Sequence, residues 1–250
     1  MLLRIYQIVS TLLLPFIGIY IKRRVRIKKE DPNRYKERYG KPSIKRKEGK
    51  VIWIHAASVG ETLSVLKVID EIEKIESVDQ VLLTTGTTSS AEIVVNRLGP
   101  KTVHQFIPLD IPLFNKRFLK YWNPTGAIFV ESEIWPNLVT QTKKLQIKIA
   151  IINGRMTLNS YSKWLRFKQS SEKIFKSFDL CLTQNEESSM FYKKLGIKNT
   201  YYTGNLKFSS DKLKVDNGAY GDLKSILKGR KIFLAASTHL GEEKIISEIT

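Results

Sequence analysis

This 250-residue chain has a single cysteine, Cys181, and three scattered histidines, His55, His104 and His239. One thiol excludes a disulfide framework and fits a reducing compartment. No Cys/His cluster has the spacing of a zinc site, so no metal is expected. Acid is scarce too: 24 Asp and Glu stand against 42 Lys and Arg, a net charge of +18. Neither G-x-G-x-x-G nor G-K-[ST] occurs, which removes the dinucleotide and P-loop signatures. Internal repeats and low-complexity tracts are missing as well. What remains is a chain with 42% hydrophobic and 10% aromatic residues, enough for a true core.

The excess charge is localised. Between Lys22 and Lys50 there are 14 Lys/Arg against four acidic residues. A nucleic-acid binder would spread its cations along a groove or interleave them with aromatics. Here they follow an uncharged stretch of 17 residues, IYQIVSTLLLPFIGIYI (Ile5–Ile21). As one helix it would be roughly 25 Å long, slightly short of a ~30 Å hydrocarbon core. Pro15 and Gly18 weaken such a helix in water but are tolerable in a membrane. The basic run lies after the apolar stretch, unlike that of a secretory signal. Residues 1–22 are therefore expected to form a membrane-anchor helix, spanning or interfacial, and 23–50 a basic juxtamembrane segment that attracts anionic lipids. A buried helix of a soluble protein is the plainer alternative. With an anchor, the charge bias puts the rest of the chain in the cytoplasm.

From Val51 onward short β-rich runs alternate with amphipathic stretches. Strands are expected at 51–56, 80–85, 102–107, 126–131, 147–152, 178–183, 199–204 and 231–237. Helical patterns lie between most of them, for instance over 62–75, 134–145 and 158–175. Near-continuous apolar strands alternating with helices imply an α/β domain with a doubly wound parallel sheet, over about 51–210. Ser209–Gly221 has the polarity of a linker. The run KIFLAAS (231–237) and the helix-like opening THLGEE (238–243) look like the start of a second domain that goes no further in this chain.

Ligands of such sheets sit beyond the carboxyl ends of the strands. Those ends carry SVGE (58–61), TTGTTSS (84–90), ESEIWPN (131–137), NGRM (153–156), QNEE (184–187) and GNLKF (204–208). Ser58 and Glu61 have capping-box spacing, so Glu61 has a structural role available. The helix dipole would lower its pKa, whereas a second carboxylate nearby would raise it. Glu131 is expected along the sheet edge and Glu133 as a cap for the helix beginning at Trp135–Pro136. Arg155 and Lys207, each just past a strand in a tight turn, could hold phosphate or carboxylate. Taken alone, these residues describe a polar cleft suited to group transfer to a hydroxyl and do not name the substrate.

HAASVGE, ESEIWPN, NGRM, QNEE, GNLKF and ASTHLGEE, in that order, resemble the 3-deoxy-D-manno-octulosonic acid (Kdo) transferases of lipopolysaccharide synthesis. The apolar N-terminus and the basic stretch ending in RYG (Arg38–Gly40) are also similar to that family. The resemblance implies a two-domain GT-B glycosyltransferase, with only the start of its second, Rossmann-like domain in this chain. It implies transfer of Kdo from CMP-Kdo to a lipid A precursor at the cytoplasmic face of the inner membrane, with no cofactor. Glu61 would be the general base, and Glu131 and Lys207 would stabilise the transition state. Substrate contacts would come from Ser58, Gly60, Arg155 and Asn205. The resemblance leaves two further possibilities: a second chain that supplies the missing domain, or a membrane-bound acceptor-binding fragment without turnover.

Overall fold

A computed structural model describes residues 2–209 and 215–249 of the chain. It divides into two compact units, residues 1–210 and 211–250. The first carries seven strands: β1 (Val51–His55), β2 (Gln80–Thr85), β3 (Thr102–Phe106), β4 (Gly126–Val130), β5 (Lys148–Gly154), β6 (Leu180–Thr183) and β7 (Thr200–Tyr202). Its helices are α1 (Leu2–Leu12), α2 (Leu14–Arg26), α3 (Val59–Glu73), α4 (Thr88–Val94), α5 (Pro112–Trp122), α6 (Pro136–Lys144), α7 (Leu158–Leu165), α8 (Lys168–Phe175) and α9 (Glu186–Leu195). The second unit holds α10 (Asn217–Ile226) and α11 (Glu242–Ile249).

All seven strands are parallel, in the order β3-β2-β1-β4-β5-β6-β7. Successive side chains alternate between the two faces of the sheet, so each strand feeds two cores. Trp53 packs with Phe118, Trp122 and Phe129 on one side. Ile54 packs with Val65, Ile69 and Leu83 on the other. Both faces are thus buried, as the unbroken apolar strands require. Chain order reverses at the β1/β4 boundary, the topological switch point beyond whose strand ends open α/β sheets bind their ligands.

The apolar N-terminus is not one helix. It bends by 66° between α1 and α2, and no single helix among the described residues is long and apolar enough to cross a membrane. The cause is Pro15: it lacks the N–H that would continue the first helix, yet is tolerated in the first turn of the next. Three contacts tie α1 to the sheet domain. Tyr6 Oη donates to Asp110 Oδ2 at 3.0 Å, Asn137 Nδ2 to Ser10 Oγ at 3.1 Å, and the Leu3 N–H to Ser170 Oγ at 3.3 Å.

Three other expectations differ. The pattern over 158–175 is two helices broken at Arg166–Phe167. Within 209–221, residues 210–214 lie outside the described part, and 217–221 belong to α10, which Asp216 caps through the Gly218 and Ala219 N–H groups. Residues 231–237 form no strand. Parallel pairing needs a neighbour, and in this unit none exists among the described residues, so Phe233 and Leu234 are 70% and 82% exposed.

Candidate active site

Residues from three strand ends converge at the switch point. Beyond β1, Ser58 has the extended backbone of an N-cap and opens α3. Glu61 sits in the first turn, and both of its carboxylate oxygens are held. Ser58 Oγ donates to Oε1 at 2.8 Å, and the Ala57 N–H donates to Oε2 at 2.8 Å. In return the Glu61 N–H donates to Ser58 Oγ at 3.3 Å. This is a capping box in which the acid reaches one residue further back than usual. Glu61 is also 9% exposed. Burial lifts its pKa above the ordinary glutamate value; the Ser58 and Ala57 hydrogen bonds oppose the rise, and the Glu133 and Glu131 charges add to it. The helix start therefore does not dictate the acidity, as position alone suggested, because desolvation outweighs the hydrogen bonds.

Beyond β4, Glu131 ends the strand in the left-handed region, with φ +57°. Its N–H still donates to the Ile152 carbonyl at 3.0 Å, continuing the ladder for one residue. Its Oε1 lies 3.0 Å from Lys207 Nζ. A non-glycine residue held at positive φ costs of order 1–3 kcal/mol, and such positions gather at functional sites. Lys207 belongs to a 3-10 turn, Leu206–Ser209. That turn is anchored from both sides: the Leu206 N–H donates to Asn153 Oδ1 and the Lys207 N–H to Asn205 Oδ1, each at 3.0 Å. A Cβ placed on Gly60 would lie 4.0 Å from Lys207 Nζ, which sets the ammonium over the first turn of α3. Ser58, Gly60, Glu61, Glu131 and Lys207 therefore form one cluster beyond the strand ends.

Arg155 has an exposed side chain, and its carbonyl is bound by Ser132 Oγ at 2.9 Å and Tyr192 Oη at 3.3 Å. Asn205 contributes as a brace for the Lys207 turn and donates to Gln184 Oε1 at 3.4 Å. Glu133 does not cap α6. The N–H groups of Asn137 and Leu138 are taken by Asp110, at 3.0 and 2.8 Å. Asp110 is buried in the loop after β3, where it faces these donors directly. Glu133 instead accepts from Trp135 Nε1 at 2.7 Å and lies 3.7 Å from His55 Nε2. Burial alone would raise its pKa, but His55 and Trp135 pull it below the usual glutamate value.

Asn153 is the organiser that the strand-end motifs did not single out. It sits at φ +54° and 1% exposure, and its amide reaches Glu131 Oε1 at 3.5 Å as well as the Leu206 N–H. The one available signal was an Asn at a strand end, a residue type tolerant of left-handed backbone. Among the described residues no group of three or more His, Cys, Asp or Glu side chains is placed to hold a metal ion.

A model of the 3-deoxy-D-manno-octulosonic-acid transferase (kdotransferase) family matches residues 33–210. A 3-deoxy-D-manno-octulosonic acid transferase of Rickettsia bellii is 38% identical over 248 residues, 99% of this chain and 59% of that protein. A probable mitochondrial one of Arabidopsis thaliana is 33% identical over 97% of this chain and 56% of its own length. The Haemophilus influenzae enzyme is 31% identical over 96% and 56% respectively. This chain thus spans little more than half the length of these relatives. A UDP-GlcNAc 2-epimerase from Neisseria meningitidis superposes with a TM-score of 0.48 at 11% identity, over 71% of this chain and 53% of its own, too distant to bear on either fold or function. With the family match covering most of the chain and enclosing every residue of this cluster, the protein belongs to the 3-deoxy-D-manno-octulosonic-acid transferase family.

Proposed function

We propose that this chain takes part in transferring Kdo from CMP-Kdo to a hydroxyl of a lipid A precursor in lipopolysaccharide synthesis, as the acceptor-side half of a GT-B glycosyltransferase. The acceptor oxygen forms a bond to the anomeric carbon of Kdo while the bond to the CMP phosphate breaks and its electron pair leaves with CMP. The hydroxyl proton goes to Glu61. Because CMP is already a good leaving group, the protein's task is to position the partners and accept that proton. Lys207, held by Glu131, offsets negative charge on the donor carboxylate or the departing phosphate. Ser58 and Asn205 fix the two turns, Gly60 leaves room beside the ammonium, and Arg155 offers an exposed guanidinium to an anionic substrate group.

One observation carries this reading: Glu61 is a buried carboxylate whose pKa burial lifts above the ordinary glutamate value, at the switch point where Glu131 fixes the Lys207 ammonium over Gly60. The bent α1–α2 pair supports a membrane-bound acceptor. Ile8, Leu12, Phe16 and Ile19 are 59–71% exposed, next to the basic run that begins at Lys22. Such a pair suits the headgroup region of an anionic inner-membrane leaflet, with the sheet domain in the cytoplasm.

The test is Kdo transfer to a lipid A precursor by detergent-solubilised protein, wild type against Glu61→Gln. A loss of roughly a hundredfold or more is expected; a Glu61→Gln protein that still transfers at the wild-type rate would refute the assignment. The unpaired, exposed 231–237 segment favours a second reading, in which the chain binds the acceptor without transferring to it. Acceptor binding without turnover in the wild type would select that one.

A further inference from the structure

The RYG motif has no part in the chemistry above, yet Arg38 is 3% exposed and joined to the candidate base by a short series of contacts. Its guanidinium makes three hydrogen bonds: Nε to Glu30 Oε2 at 2.9 Å, Nη1 to the Ile107 carbonyl at 3.0 Å and Nη2 to the Gly86 carbonyl at 2.6 Å. It also stacks on Phe106, 4.9 Å from the ring centroid. Gly86 opens the TTGTTSS loop after β2. Its N–H donates to the Ala57 carbonyl at 3.1 Å. The approach is close enough that a Cβ on Gly86 would lie 2.9 Å from that oxygen, so the position demands glycine. Ala57 in turn gives its N–H to Glu61 Oε2 at 2.8 Å. At the far end, the other oxygen of Glu30 accepts from Arg24 Nε of α2 at 2.8 Å.

We infer that Arg38 is a positioning residue for Glu61, acting through Gly86 and Ala57, and that the Arg24–Glu30 pair makes this positioning depend on the seating of α2. Without the Arg38 bond the Gly86 carbonyl is released, the clamp on Ala57 loosens, and Glu61 keeps only Ser58. Lysine cannot replace arginine here, because one ammonium cannot make three divergent bonds and stack on a ring. The inference rests on the reading of Glu61 as the base, but its test does not need turnover.

The experiment is a carbon-13 NMR titration of the Glu61 carboxyl in the full chain in detergent, with the signal identified by its loss in Glu61→Gln. The Glu131 and Glu133 charges act on Glu61 as well, Lys207 is paired with Glu131 and His55 faces Glu133, so these remain intact in every variant. Arg38→Gln is expected to raise the proton affinity of Glu61 roughly ten- to a hundredfold, the worth of one hydrogen bond to a charged oxygen. Arg24→Gln, at the far end, should give a smaller shift in the same direction. Removing one partner of a buried ion pair can unfold a protein, so Gly86→Ala is the second variant: it pushes on the Ala57 carbonyl and leaves Arg38 and Glu30 paired. An unchanged Glu61 titration in folded Arg38→Gln, or in Gly86→Ala if Arg38→Gln does not fold, would overturn the proposal. If Glu61→Gln transferred normally while these titrations shifted, the base assignment would fail and the positioning series would stand.

Discussion

Glu61 and Glu131 follow neighbouring strands of one sheet, yet they are set up in opposite ways. Glu61 is gripped by two uncharged donors, a hydroxyl and a backbone N–H, in a place that excludes most water. Glu131 is bound to an ammonium and holds its backbone in a strained turn. The first arrangement withholds countercharge from a carboxylate and so keeps it ready for a proton. The second uses a carboxylate to fix a cation. The two neighbouring acids thus differ in character, because solvent access and partner charge, and not residue type, decide how a carboxyl group behaves.

Replacing Glu61 should produce the largest effect. Glu61→Gln keeps an acceptor for the Ala57 N–H but cannot take a proton, so transfer should fall by roughly two to four orders of magnitude. Its stability should move the other way. A carboxyl whose folded pKa lies above its unfolded value costs stability as pH rises from the ordinary glutamate value through the raised one. Glu61→Gln should therefore melt a few degrees higher than wild type at pH 7, with the difference vanishing below about pH 4. Thermal melts across pH check this, and a Gln variant that melts lower at pH 7 would contradict the stated burial cost.

Smaller losses are expected from the other carboxylate. Glu131→Gln and Lys207→Met should each lower transfer roughly ten- to a hundredfold, with stability within about 1 kcal/mol because the Lys207 side chain is half exposed. Glu131→Gly sharpens the contrast: it relaxes the φ of +57°, so it should lose activity like Glu131→Gln while unfolding at an equal or higher denaturant concentration. Next comes Asn153→Ala, which strips the brace from both Glu131 and the Lys207 turn and leaves the left-handed backbone to alanine. It should cost about 1–3 kcal/mol in urea denaturation. Arg155→Ala should be least visible in stability, within about 0.5 kcal/mol, since the side chain is exposed. A raised KM for the anionic substrate with kcat unchanged would show that Arg155 contributes binding alone.

Much of this arrangement is legible in the amino-acid sequence. Alternation of apolar runs with amphipathic stretches announces a parallel sheet, and the strand ends announce where Glu61, Glu131 and Lys207 meet. The capping-box spacing of Ser58 and Glu61 is local, so it survives folding unchanged. Several features are not legible because their partners are distant in sequence. Asp110 takes the helix start expected for Glu133 from a loop 27 residues before Asn137. Arg38, by sequence one cation among many in a basic segment, is buried against Gly86, 48 residues later. Pro15 is plain to see, but that it divides the apolar stretch into two helices, the first resting on the sheet domain, depends on the contacts waiting for Tyr6 and Ser10.

The clearest boundary between local and distant causes is drawn by VIWIHA (51–56) and KIFLAAS (231–237). Both are short, apolar and β-rich. The first is a central strand with β2 on one side and β4 on the other; the second is not a strand and has its phenylalanine and leucine in solvent. Sequence by itself determined what is local: the periodicity of the elements, the proline break, the N-caps and the residue types at each strand end. Tertiary structure alone decided which runs became strands and which carboxylate lost its water. Strand hydrogen bonds and desolvation are both supplied by neighbours that the chain brings from far away.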